Sequence, residues 1–141
     1  MKKKAKGIVG LCLVAALAVG GVGTYAYANP MSFDKYYEDE DGYSHLAWGE
    51  CSVGATSGSA YTTVSDGWPC YGSVSATFSC YAGARVLFSN GNAAGNVHGA
   101  GVTITYNGNA SEVQSSYISA NHTIEVPGRA YYETTHDTWC E

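Results

Sequence analysis

Ser73-Val74-Ser75-Ala76-Thr77-Phe78-Ser79-Cys80 alternates a small polar residue with an apolar one at every step. Successive side chains on a strand leave opposite faces, so this period of two specifies a half-buried β-strand with Val74, Ala76, Phe78 and Cys80 inward. The same rhythm recurs on both sides of it. Val102, Ile104 and Tyr106 share a face opposite Thr103 and Thr105, and Ile124 and Val126 share a face with His122. Turn residues separate these runs: Asp66-Gly67 before Trp68-Pro69, Ala82-Gly83, Asn90-Gly91-Asn92, Asn107-Gly108-Asn109 and Pro127-Gly128. No apolar pattern of helical period appears. The reading is eight short strands, over residues 45–53, 59–65, 72–81, 84–89, 97–106, 113–119, 122–126 and 129–135. Strands this short and evenly punctuated predict an all-β fold, a small antiparallel β-sandwich.

The N-terminal part has a different character. Lys2, Lys3, Lys4 and Lys6 precede an apolar run, Gly7 to Gly23, and Ala26-x-Ala28 places small residues where a signal peptidase requires them. Residues 1–28 read as a signal peptide and Asn29 as the new N-terminus, so the product is expected outside the cell with no stable membrane insertion. Residues 29–43, which include Glu38-Asp39-Glu40-Asp41-Gly42, read as an acidic arm without a strand period, and residues 44–141 as the sandwich domain. The acidic run does not fit an EF-hand: with Gly42 in the sixth position, Tyr37 and Trp48 would fall where the first and twelfth ligands belong.

Beyond residue 28 only Lys35, Arg85 and Arg129 oppose twelve acids, a net charge of −9. Nucleic-acid binding requires a basic face, and docking on anionic lipid does too; neither is expected. Cys12 leaves with the signal peptide. The four remaining cysteines, Cys51, Cys70, Cys80 and Cys140, predict two disulfides in an exported domain. Ten extended residues hold Cys70 and Cys80 roughly 30 Å apart, so these two are not expected to pair. Two pairings stay open: Cys51–Cys70 with Cys80–Cys140, the preferred one, or Cys51–Cys80 with Cys70–Cys140. No CxxC knuckle supports a zinc site, and no metal or cofactor is expected.

Nothing in the sequence marks an enzyme. No serine sits in a GxSxG elbow. His122 and Glu125 are three apart on a strand and diverge, as do His136 and Asp137. His98 falls in phase with Val102 and Ile104. Trp48, in phase with Leu46, is expected in the core, whereas Trp68 beside Pro69 in a turn is the leading surface aromatic. Of Tyr131 and Tyr132, one points in and one out. Trp68, Tyr131 and Tyr132 are therefore the candidate binding residues of a non-enzymatic module, since rigid aromatic area with a polar tip suits a protein or glycan partner.

Ser75-Ala76-Thr77-Phe78 and the aromatic stretch from Arg129-Ala130-Tyr131-Tyr132 through Trp139 resemble the corresponding strands of the lactococcin 972 class of secreted bacteriocins. That resemblance implies a small exported β-sandwich with an antibacterial role, the alternative function. The chain departs from the class in its acidic charge and its cysteines.

Overall fold

The structure is a computed structural model that describes residues 31–141; the signal-peptide reading falls on residues outside these. Strands β1 (Ser32–Glu38), β2 (Ser44–Val53), β3 (Ser57–Val64), β4 (Tyr71–Ala82), β5 (Arg85–Asn96), β6 (Gly99–Thr105), β7 (Ser115–Val126) and β8 (Arg129–Cys140) follow one another, with one 3₁₀ turn at Ala110–Glu112. They form two antiparallel four-stranded sheets, ordered β1-β2-β3-β6 and β5-β4-β7-β8. Among the described residues no helix is long and apolar enough to cross a membrane.

The all-β, two-sheet architecture is as the alternation requires, but several boundaries differ. The acidic stretch supplies β1, which pairs with β2 from Ser32↔Glu50 to Glu38↔Ser44. Its period is hidden because the inward phase reads Phe33, Lys35, Tyr37: Lys35 sits at the sheet edge with Nζ 2.8 Å from Glu133 Oε1. The stretch around Asn90-Gly91-Asn92 is not a loop but the second half of β5. There Asn90, Asn92 and Asn96 each accept the next residue's N–H through Oδ1 at 2.8–2.9 Å. Strands 113–119 and 122–126 are one strand, β7, unbroken because His122 keeps the inward phase. Trp48 is only half-buried, since Ala47, Gly49 and Cys51 hold the inward positions of β2.

Two apolar clusters fill the interior. One contains Phe78, Val74, Ile118, Val102 and Ile104; the other contains Phe33, Tyr37, Val64, Ile124 and Val126. Between them each central strand places a small or polar residue: Gly49 on β2, Thr62 on β3, Gly72 on β4, His122 on β7. His122 is fully buried, and its ring meets Phe33 edge-on at 5.0 Å. A Cβ on Gly49 would stand 2.6 Å from Phe33 Cε1 and 2.9 Å from His122 Nδ1, so glycine there makes room for both rings.

The expected disulfides are corrected. Cys51, Cys70 and Cys80 are free, buried thiols, and no disulfide joins two described residues. The register explains why neither pairing forms. Cys80 faces Ser116 and Ser116 faces Trp139, so β7 separates Cys80 from the strand of Cys140 by two interstrand spacings, ~9.6 Å, beyond disulfide reach. Cys70 touches His45, which lies six residues from Cys51 along β2, roughly 20 Å. Cys70 also adjoins Tyr71, opposite Glu125, while Cys140 lies opposite Ser115, ten residues or roughly 33 Å along β7.

Candidate functional site at one end of the sandwich

The connections at residues 39–43, 65–70, 97–98 and 127–128 gather at one end of the two sheets. They are tied together: the Glu40 N–H donates to Pro127 O at 3.0 Å, and the Val64 N–H donates to His98 O at 3.3 Å. Trp68 is 84% exposed on the β3–β4 turn, and Tyr43 is 71% exposed beside the β1–β2 turn.

At the same end lies a compact polar cluster. Asp39 is buried and held rigidly, its Oδ1 accepting the N–H groups of Asp41 and Tyr43, both at 2.9 Å. Gly42, with φ +86°, makes the tight turn that presents them. Asp39 Oδ2 faces His45 Nε2 at 2.9 Å, and Asp66 Oδ2 faces His45 Nδ1 at 2.8 Å. Cys70 Sγ approaches the same Nδ1 at 3.5 Å. With a carboxylate on each nitrogen the ring donates twice and is cationic. The hydrogen bond to Asp39 raises the His45 pKa above its ordinary value, and that to His45 lowers the pKa of Asp39. Burial, then the charges of Asp66 and Asp39, push the Cys70 thiol up.

Cysteine, histidine and aspartate in contact evoke a thiol nucleophile, but the environment works against one. A nucleophilic cysteine needs a lowered pKa and access. Cys70 is 1% exposed and raised. The arrangement is suited to holding a ring or an ion, not to attack.

The candidates read from sequence fall on different surfaces. Trp68 stands free at this end. Tyr132 is 76% exposed on the outer face of the second sheet, opposite Thr123. Tyr131 is half-buried: its ring lies 5.0 Å from that of Tyr37, and its hydroxyl donates to Glu38 O at 2.6 Å, closing the side of the sandwich between β1 and β8. His136 is buried and stacked on Tyr117, with the Tyr117 hydroxyl at its Nδ1. His98 is exposed, not inward, because the strand begins only at Gly99. A shallow groove of about 250 Å³ runs over the outer face of the first sheet between Glu50, Ser59, Tyr61 and Thr103. There the Tyr61 hydroxyl is hydrogen-bonded to the Glu50 carboxylate.

Sequence reasoning missed the Asp39–His45–Asp66–Cys70 cluster. The residues are scattered along the chain, Cys70 reads as a disulfide partner, and Asp39 and Asp66 read as part of an acidic run and as a turn residue. Only the antiparallel register of β1, β2 and β3 brings them together. The chain matches no family model, no curated protein and no solved structure.

Proposed function

We propose that this chain is a non-enzymatic binding module, exported by its N-terminal segment, whose sandwich engages a protein or glycan partner outside the cell through the end that carries Trp68. The observation behind this reading is the exposure of Trp68, 84% on a short turn between two paired strands. A large ring held by a rigid scaffold loses little entropy on contact and can act as an anchor worth ~2 kcal/mol or more. Tyr43 extends the apolar area at the same end, and Tyr132 offers a separate exposed ring. Glu38, Asp39, Glu40, Asp41 and Asp66 surround the Trp68 end. They favour a neutral or basic partner, and binding to a basic one weakens with salt.

The experiment is capture from extracellular protein extracts and on a glycan array, with the exported chain and its Trp68→Ala and Tyr132→Ala variants. The expected result is binding lost at least tenfold in Trp68→Ala while far-UV circular dichroism stays unchanged. Undiminished binding by a folded Trp68→Ala variant overturns the placement of the site. Turnover of a captured ligand overturns the non-enzymatic reading.

A further inference from the structure

We propose that His45 Nδ1, Cys70 Sγ and Asp66 Oδ2 form a zinc site, with Asp39 as the carboxylate that orients the His45 ring from its other nitrogen. The three ligand atoms lie within 4.8 Å of one another and come from two places in the fold: His45 from strand β2, and Asp66 and Cys70 from the two ends of the β3–β4 connection.

The spacing fits the ion. With Zn–S near ~2.3 Å and Zn–N near ~2.0 Å at tetrahedral angles, the sulfur and nitrogen ligands of one zinc stand roughly 3.5 Å apart. Cys70 Sγ and His45 Nδ1 stand at 3.5 Å. The Nδ1···Asp66 Oδ2 distance of 2.8 Å has to open by roughly 0.5 Å, and Asp66 sits on a turn with its side chain 54% exposed, free to give that amount. One nitrogen, one sulfur and one carboxylate oxygen form a borderline-soft set that suits zinc and suits calcium or magnesium poorly.

The surroundings fit as well. A histidine that binds zinc through one nitrogen almost always gives its other N–H to a carboxylate or carbonyl, which fixes the ring. Asp39 does this at 2.9 Å, and its other oxygen is immobilised by two backbone N–H groups. The thiol is 1% exposed, which shields it from solvent. Binding replaces the Nδ1 proton and the thiol proton, both released to solvent. Zinc gains bonds to a neutral imidazole nitrogen, a thiolate and a carboxylate, and no oxidant or reductant takes part. Three protein ligands leave a fourth position on the exposed Asp66 side for water or for a donor atom of a bound partner.

The competing arrangement is a plain ion-pair cluster, with a cationic His45 between two carboxylates and the thiol a bystander. Titration of the tag-free chain with Zn(II) against a chromophoric chelator, and with Co(II) read by absorbance, separates the two. One equivalent per chain is expected, with intense tetrahedral cobalt bands and a thiolate-to-cobalt charge-transfer band. Cys70→Ser abolishes that band, and His45→Gln weakens zinc at least 100-fold. Asp39→Asn weakens it 10- to 100-fold, the size typical of a lost orienting carboxylate. Asp66→Asn, on the exposed turn, keeps the fold and still loses affinity, so the test does not depend on the buried variants folding. No binding, binding unchanged in these variants, or a cobalt spectrum without the thiolate band overturns the proposal.

Discussion

Thr62 Oγ1 and His122 Nδ1 meet at 2.8 Å in the middle of the sandwich, joining β3 of one sheet to β7 of the other. The Thr62 hydroxyl donates its proton to Ser73 O at 2.9 Å, so toward His122 it accepts, and Nδ1 carries the ring proton. Nε2 is then an acceptor for the Thr135 hydroxyl, 2.7 Å away. The Cys51 thiol lies against the same Thr135. A chain of polar groups from Cys51 to Ser73 thus crosses a core that is otherwise aliphatic and aromatic.

Thr62→Val keeps the shape and removes the hydroxyl. Leaving a buried donor short of a partner costs ~1–3 kcal/mol. The expected result is a loss of that size in urea denaturation. A double-mutant cycle with Thr135→Val should show coupling of at least ~0.5 kcal/mol, because both hydroxyls fix one ring. Additive losses would mean that the ring is positioned by Phe33 alone.

Burial pulls the His122 pKa down from 6.5 to about 4. In the unfolded chain the ring takes up a proton near pH 6.5, while in the folded chain it resists until about pH 4. The contribution to stability is therefore fully present above pH 6.5 and is lost as pH falls from there toward 4, up to about 3 kcal/mol in all. Burial lowers His136 too, with the same sign. Denaturation at a series of pH values between 7.5 and 4 checks this, and His122→Gln should flatten the slope. A slope equal to that of the parent chain would remove His122 as its origin.

Gly49→Ala is expected to destabilise by ~1–3 kcal/mol, the cost typical of overpacking. The new methyl meets Phe33 Cε1 at 2.6 Å, Tyr61 O at 2.8 Å and His122 Nδ1 at 2.9 Å, and the second of these is backbone that cannot rotate away. Gly54→Ala, whose nearest atom is Ser57 O at 3.9 Å, is the control. Equal melting temperatures for the two variants would contradict the tight contact.

A membrane-permeant thiol reagent should leave Cys51, Cys70 and Cys80 unmodified in the folded chain and label all three in denaturant, since each is buried. Peptide mapping by mass spectrometry assigns the labels. A Cys51–Cys70 or Cys80–Cys140 peptide would contradict the register described above.

The alternation in residues 73–80 and 102–106 carried the fold class, because a sheet with one face on a core imposes that rhythm directly. What it did not reveal was β1, where Lys35 interrupts the apolar phase, and the far half of β5, where glycine and asparagine pack on little. Of the polar residues between the two clusters the sequence marks only His122, and it reads as the start of a short strand rather than the middle of β7. The site cluster was hidden for a topological reason. His45, Asp66 and Cys70 are close only after β2 and β3 are paired in register within the first sheet, which no local pattern encodes. Cys70 shows the cost of reading composition first, since an even count of cysteines suggested bridges that the strand order makes unreachable.

The side closed by β1 and β8 has a meaning for the molecule in company. Among the described residues β1 pairs only with β2, and a sheet edge of this kind invites a second chain to add a strand. Lys35 sits in the inward phase between Phe33 and Tyr37, its ammonium held by the Glu133 carboxylate, which also accepts from the Tyr37 hydroxyl at 2.9 Å. A neighbour zipping onto this edge would have to tear the lysine from its carboxylate and dehydrate both. A charge that looks misplaced in the pattern thus raises the cost of adding a strand at this edge.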